Sequence, residues 1–310
     1  MHIGLRRVIF LSFFVIASPW CFGAEQPRAF AVIGDTQRTL GVERVVLGRE
    51  QNDPERDLLI QSIANDKPEF AVHLGDMVDW GASTKVWKAF DRLIEPLRLA
   101  KIELFPVFGN HEYFGWNKTK ELENVYTRFP QLKASHWYLK RVGNLALVFL
   151  DSNQKALGED WDVQTSWLQG TLDQLDADTG VRGVLVFAHH PVYSNSKVSA
   201  DEPCVNQSIL PLFSRAKKTV AYISGHAHGY EHFFENGKHF IVSAGGGGPR
   251  VTYYTGKKQH HPDLFLGAGP RPFNYLLIQP ENGKILVTVK GLDKDETQVR
   301  VIDTISIPLK

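Results

Sequence analysis

Asp35, Asp76, Asn110, His189, His226 and His228 each stand directly after a short apolar run. Carboxylate, amide oxygen and imidazole together form the mixed donor set that suits Mn, Fe or Zn. Six converging donors hold two ions if one carboxylate bridges. The ions then lie roughly 3.5–4 Å apart and steady both the entering and the departing oxygen of an in-line phosphoryl displacement. The chemistry expected of such a constellation is phosphoester hydrolysis. Each motif alone carries less, because Gly-Asp after a strand is common turn chemistry. His226 and His228, two residues apart, would face opposite sides of a strand. They converge only from a turn, which the flanking Gly225 and Gly229 permit.

The elements that must position these residues read as alternating strands and helices. β-branched or aromatic runs at Phe30–Ile33, Phe70–Leu74, Leu104–Phe108, Leu145–Leu150, Val184–Phe187, Val220–Ile223 and Phe240–Val242 each stop at a polar cluster. Between them, Asp53-Pro54 opens a helix with Leu58, Leu59 and Ile63 on one face, running until Pro68. Ser83 opens another with Val86, Trp87, Phe90, Leu93 and Ile94 at helical spacing, ended by Pro96. Further helices are expected over Lys118–Arg128, Gln164–Leu175 and Ser208–Lys217. Such alternation predicts a largely parallel sheet that gathers ligands at its carboxyl edge. The pattern then changes to consecutive strands, Tyr275–Gln279, Ile285–Lys290 and Ile302–Ile307, the first two joined by Pro280-Glu281-Asn282-Gly283. So short a tail buries too little alone, and it is expected to complete a second sheet of the same core.

The 310 residues are 43% hydrophobic and 22% charged, which excludes a disordered chain. With 35 Lys+Arg against 34 Asp+Glu there is no general electrostatic handle for nucleic acid or an acidic membrane, and neither is expected as a partner. Arg6 and Arg7, an apolar run over Val8–Ala17 and small residues up to Ala24 read as a secretory signal at 1–24. The run is too short to span a bilayer. The expectation is a secreted or periplasmic protein, residues 25–310 forming one domain, with no stable membrane anchor after cleavage. Cleavage also removes Cys21 and leaves Cys204 alone, which excludes an intramolecular disulfide. No pattern specifies an oligomeric state.

The ordered set GDTQ, LGDMVD, GNHE, AHHP and GHAH, from Asp35 to His228, resembles the calcineurin-like metallophosphoesterases. The resemblance implies an α/β fold, a four-layer α/β/β/α sandwich of two mixed sheets flanked by helices, with a dinuclear metal centre at the strand carboxyl ends. It implies that Asp35 and His228 hold the first metal, that Asp76 bridges, and that Asn110, His189 and His226 hold the second. It places His111 of GNHE against the leaving-group oxygen, oriented by Asp79. A carboxylate accepting one imidazole N–H fixes the tautomer and favours the protonated form. The implied cofactors are two divalent or mixed-valence ions (Mn, Fe or Zn). The implied substrate is small and phosphorylated, and metal-activated hydroxide attacks it.

GNHE and the GHAH segment look like the purple acid phosphatase branch, with two departures. Asp79 stands where purple enzymes place a tyrosinate ligand. Gln37 stands where many relatives have a ligating His, so its amide either ligates the first metal or orients water. A phosphodiesterase or nucleotide pyrophosphohydrolase using the same site is the second reading, and a catalytically silent phosphate- or metal-binding protein the third. Serine/threonine phosphatase relatives carry an Arg after GDxxD, but Trp80 stands here, so an anion clamp must come from elsewhere. Gly245–Gly248 with Arg250, and Tyr253, Lys257, His260 and Arg271 of the long 251–273 stretch, are candidates. Trp80, Tyr113, Trp116 and Tyr193 follow the metal motifs closely enough to wall the pocket.

Overall fold

Most of the strand-forming runs lack the polar alternation of a one-sided sheet, so they require cover on both faces. The computed structural model describes residues 28–116, 118–265 and 269–310, and the leader expected at 1–24 lies outside the described residues. The chain first lays down β1 (Phe30–Ile33), β2 (Phe70–His73) and β3 (Glu103–Pro106) in parallel, Val32 opposite Val72 and Val72 opposite Phe105. It then builds a whole second sheet from β4 (Tyr138–Val142), β5 (Leu145–Phe149), β6 (Gly183–Ala188), β7 (Thr219–Ser224), β8 (Tyr230–Glu235) and β9 (Lys238–Ser243). The order in that sheet is β4-β5-β6-β7-β9-β8, with β5, β6, β7 and β9 parallel.

The last strands, β10 (Phe273–Glu281), β11 (Lys284–Leu292) and β12 (Arg300–Pro308), return to the first sheet, giving the order β12-β11-β10-β1-β2-β3. They therefore extend the first sheet and do not complete a second one. The reason is the free edge of β1, which β10 takes antiparallel with Phe30 opposite Ile278.

Three apolar layers hold the sandwich together. Between the sheets lie Val32, Val72, Leu147, Phe187, Ile223, Leu276 and Val287, all essentially fully buried. On the first sheet's outer face pack α2 (Asp53–Asp66), α3 (Thr84–Leu93), α4 (Glu95–Leu99) and α5 (Lys118–Arg128), through Leu59, Ile63, Trp87, Phe90, Leu97 and Val125. On the second sheet's outer face pack α6 (Gln154–Leu157), α7 (Asp160–Ala177) and α8 (Leu210–Arg215), through Leu157, Trp161, Leu168, Leu172 and Phe213. At roughly 1.5–3 kcal/mol per buried large aliphatic or aromatic side chain, these layers supply most of the drive to fold. The result is the expected four-layer arrangement.

Local signals mostly act as expected. The Ser83 hydroxyl accepts from Val86 N and caps α3. Pro96 does not end the helical segment. The first helix stops at Leu93, and Pro96, whose missing N–H is harmless in a first turn, helps start α4. The stretch near Ser208 begins as a π-helical turn, Val205–Ile209, before α8. A helix preceding α2, α1 (Gly41–Leu47), has no sequence counterpart above. It buries none of its residues and leaves Val42, Val45, Val46 and Leu47 exposed.

Candidate metal centre

All six candidate ligands stand in the loops after the carboxyl ends of β1, β2, β3, β6 and β7. The first sheet contributes Asp35, Asp76 and Asn110, which are oxygen donors. The second contributes His189, His226 and His228, which are nitrogen donors. Four of these residues take up the left-handed backbone: Asp35 (φ 59°), Asp76 (φ 53°), His226 (φ 70°) and His228 (φ 48°). For non-glycine residues this costs on the order of 1–3 kcal/mol each and persists only where the surroundings enforce it. Here main-chain hydrogen bonds between loops do so. Asp35 N donates to Gly75 O at 3.0 Å, Gln37 N to Asp76 O at 3.0 Å, Gly225 N to His189 O at 2.9 Å and Gly248 N to Asp35 O at 2.8 Å.

His226 and His228 do converge from a turn, yet its unusual torsions belong to the histidines themselves. Gly225 and Gly229 supply space instead. A Cβ on Gly225 would lie 2.5 Å from Asp35 Oδ2, and one on Gly229 2.1 Å from the Tyr253 hydroxyl. That hydroxyl donates to Ala227 O at 2.7 Å and holds the turn from behind.

The donor atoms meet. His189 Nε2 lies 3.0 Å from Asn110 Oδ1, 3.1 Å from His226 Nδ1 and 3.4 Å from Asp76 Oδ2. His228 Nε2 lies 3.6 Å from Asp35 Oδ1. Asp35, Asp76 and His228 offer ligand atoms within 4.8 Å of one another, and so do His189, His190 and His226. His190, which follows His189 in AHHP, was not among the sequence candidates. Its Nδ1 is engaged by Ser152 Oγ at 2.7 Å.

The surroundings fit cations. His189 Nδ1 faces Leu74 O at 2.8 Å and His228 Nδ1 faces Pro249 O at 2.8 Å, which turns each Nε2 lone pair toward the cluster. Gln37 places its amide nitrogen 3.2 Å from Asp76 Oδ2 and 3.1 Å from His228 Nε2, while its Oε1 is buried without a hydrogen-bond partner. A half-turn of that amide exchanges N and O and sets the orphaned oxygen among the donors. Burial pushes Asp35 well above the usual carboxylate range, with the Asp76 charge adding to it. Burial also works against Asp76, but the charge and hydrogen bond of His189 together with the charges of His111 and His226 outweigh it and hold that carboxyl well below the usual range. Burial depresses His226 strongly, and His190 and His189 depress it further. Buried carboxylates and imidazoles crowded together in this way are a set that divalent ions satisfy.

His111 stands beside the cluster, its Nε2 3.8 Å from Asp76 Oδ2 and its ring against Phe114 at 4.3 Å. Its Nδ1 meets Asp79 O at 2.9 Å. The partner is thus the main-chain carbonyl of Asp79, whereas the expected one was its carboxylate. The Asp79 side chain turns to the far side of the loop, where Oδ1 is buried without a partner.

Glu112, the last residue of GNHE, had no role assigned from sequence. It accepts from Gly109 N at 2.7 Å, Asp76 N at 2.8 Å and Met77 N at 2.8 Å, clasping the loops after β2 and β3. Burial and the Asp76 charge push its carboxyl up to about 7.

A cavity of ≈ 120 Å³ opens over this floor, lined by Gln37, Asp76, Asn110, His111, His226 and His228, with Arg49 at its rim. Arg49 pairs with Glu43 of α1 at 2.6 Å. Three of the anion-clamp candidates named from sequence, Arg250, Gly246 and Arg271, are engaged elsewhere. Arg250 holds Glu50 through Nε at 2.8 Å and Nη2 at 3.1 Å, Gly246 N donates to Gly34 O at 2.9 Å, and Arg271 is buried against Asp263. Of the expected wall, Tyr113 bonds Asp151 and Tyr193 packs on Phe240, so neither lines this cavity. Trp80 carries Trp116 at 5.4 Å, and Trp116 is 94% exposed.

A family model described as calcineurin-like phosphoesterase matches residues 29–230. No curated protein matches the chain. Among solved structures, a purple acid phosphatase from yellow lupin seeds aligns at TM-score 0.71 and 17% identity, over 92% of this chain and 54% of that one. GAP50, the anchor in the inner membrane complex of Plasmodium, aligns at TM-score 0.65 and 18% identity, over 92% and 90%. A dimetal phosphatase from Danio rerio aligns at TM-score 0.63 and 15% identity, over 92% and 100%. At these identities the likeness is one of fold.

Proposed function

The chain belongs to the calcineurin-like phosphoesterase family, and from that premise we propose that it is an exported phosphatase of small phosphate monoesters. The observation that carries the reading is the meeting of Asp35, Asp76, Asn110, His189, His226 and His228 beside His111, under a cavity that Asp76, Asn110, His111, His226 and His228 line. Asp35, His228 and Gln37 would hold one ion, Asn110, His189 and His226 the other, and Asp76 would serve both. When bound, Mn, Fe or Zn supplies Lewis acidity and lowers the pKa of water. The chain's own residues do the rest. Asp79 O receives Nδ1–H of His111, so the imidazole presents Nε2 to the cavity in a fixed orientation. Once protonated, Nε2–H is the donor for the departing ester oxygen. Arg49 is the cation on the cavity rim, and we assign it to the substrate's phosphate oxygens in place of Glu43. Export rests on the leader pattern at 1–24.

Metal-stripped mature protein reconstituted with Mn, Fe, Zn or Mg provides the test. Hydrolysis of p-nitrophenyl phosphate that is lost in Asn110→Ala and His111→Ala is the expected result. Faster turnover of the bis ester would favour the diesterase reading. Inactivity of every metal form against mono-, di- and pyrophosphate esters would sink the enzymatic one.

A further inference from the structure

A second pocket of ≈ 230 Å³ lies on the far side of the metal-binding loops. Thr36 and the run from Met77 to Asp79 line it, so the residues next to Asp35 and Asp76 form one of its walls. Arg38, Arg56 and Arg92 line it too, against Asp57 and Asp79. Arg56, from α2, is only 4% exposed. Its Nη1 donates to Thr36 O at 3.3 Å and its Nη2 pairs with Asp53, while its Nε is buried without a partner. Asp79 Oδ1, on the same pocket, is buried without a partner as well. Arg38 is half exposed and shares Asp53 at 3.3 Å. One pocket is thus lined by three arginines and Asp79, with an orphaned donor and an orphaned acceptor of those residues buried just behind its surface. Buried polar groups left without partners are costly and mark places where something else binds.

We propose that this pocket binds a phosphate oxyanion that retains a proton, separately from the metal centre. Its charged oxygens accept from Arg56 Nε–H and from the forks of Arg38 and Arg92, which match phosphate geometry. Its P–OH donates to Asp79 Oδ1, a contact that a fully deprotonated anion cannot make. The bound anion also bears on catalysis, because the main-chain oxygen of Asp79 orients His111. Occupancy of the pocket therefore biases the loop that holds the proton donor.

The binding arm is independent of the function proposed above, and the kinetic arm rests on it. Titration of the metal-loaded full chain with inorganic phosphate is expected to show two binding steps. Asn110→Ala removes the one at the metals. The double variant Arg38→Ala/Arg92→Ala, at two exposed positions, weakens the other about tenfold or more. Arg56→Lys does the same if its melting curve shows it folded. In steady state, phosphate is expected to lower kcat as well as raise apparent KM, and the double variant keeps only the effect on KM. Phenylphosphonate separates the sources: binding of both ligands assigns the pocket to the phosphoryl group of a larger molecule, and binding of phosphate alone assigns it to the free product. A single phosphate per chain, lost in Asn110→Ala and unchanged in Arg38→Ala/Arg92→Ala, overturns the proposal and leaves the pocket to water. A second step that persists unchanged in all the arginine variants overturns it too. Absence of any hydrolysis with both binding steps intact would instead count against the phosphatase reading alone.

Discussion

Replacing Gly225 by alanine tests the metal centre through a single methyl group. Gly225 is not among the residues with positive φ, so the cost of a side chain there is one of space. The added Cβ would lie 2.5 Å from Asp35 Oδ2, 3.2 Å from Leu74 O and 3.3 Å from His189 Nδ1. A carbon does not sit closer than about 3 Å to such an oxygen, so the Asp35 carboxylate must shift by about half an ångström. It has nowhere easy to go, because Asp35 is fully buried and both its oxygens face His226 N at 3.0 Å. Metal–ligand distances tolerate only about 0.2 Å. Overpacking of this kind costs about 1–3 kcal/mol, and misplaced support around a ligand lowers metal affinity roughly 10–100-fold. Urea unfolding of the metal-stripped protein reads the first effect, and chelator competition with Mn reads the second. Gly170→Ala is the control. It sits within α7 with nothing inside 4 Å of its built Cβ, and should gain about 0.5–1 kcal/mol with Mn affinity unchanged. Wild-type Mn affinity in Gly225→Ala would refute the placement of Asp35 as a ligand, and a wild-type unfolding midpoint would refute the packing argument.

His111→Ala should lower kcat by about 10²–10⁴ with the fold intact by circular dichroism, and an unchanged kcat would remove it as the proton donor. Arg49→Ala should raise KM about tenfold with a smaller change in kcat, and an unaltered KM would move the phosphate clamp elsewhere. Stripping the metals should lower stability, by about 2.7 kcal/mol relative to protein held at a hundredfold excess over Kd, as read by thermal melts at several Mn concentrations. His239 is depressed to about 4, by burial first and then by His232, so it stays neutral in the fold down to that pH. Its neutral form contributes stability that is fully present above the unfolded value of 6.5 and declines as pH falls from there toward 4. His239→Gln should flatten that part of the urea-midpoint profile, and a profile identical to wild type would show that the ring is not buried neutral.

Much of this arrangement was legible before any coordinates. β1, β2, β6 and β7 end at polar clusters because a buried parallel strand must stop where the chain turns out to bind, and α5 spans the residues that its periodicity marks. Local chemistry could not reveal what distant partners decide. Arg49 and Arg250 look alike in sequence, and only the folded chain shows Arg250 locked on Glu50 while Arg49 stands at the cavity rim. The second aspartate of the LGDMVD motif does touch His111, but through an atom that every residue possesses, so residue type carried no information about the contact. β8 escaped because Glu231 and His232 sit buried within it. Ser194 Oγ and Asn195 N satisfy Glu231 from thirty-odd residues away in the chain, and Asp263 accepts from His232 N. α1 buries nothing, so no apolar face announced it.

The division of ligand types between the two layers ties catalysis to packing far from any substrate. With the candidate oxygen donors carried by one layer and the candidate imidazoles by the other, a bound pair of ions would act as a rivet through the seam, and the registry of that seam is set by Val72, Leu147, Phe187 and Val287. A slip of one layer by a fraction of an ångström would spoil coordination without disturbing either loop set. Hollowing out the greasy interlayer at Leu147 or Val287 should therefore loosen metals and slow turnover, although neither residue lines the cavity.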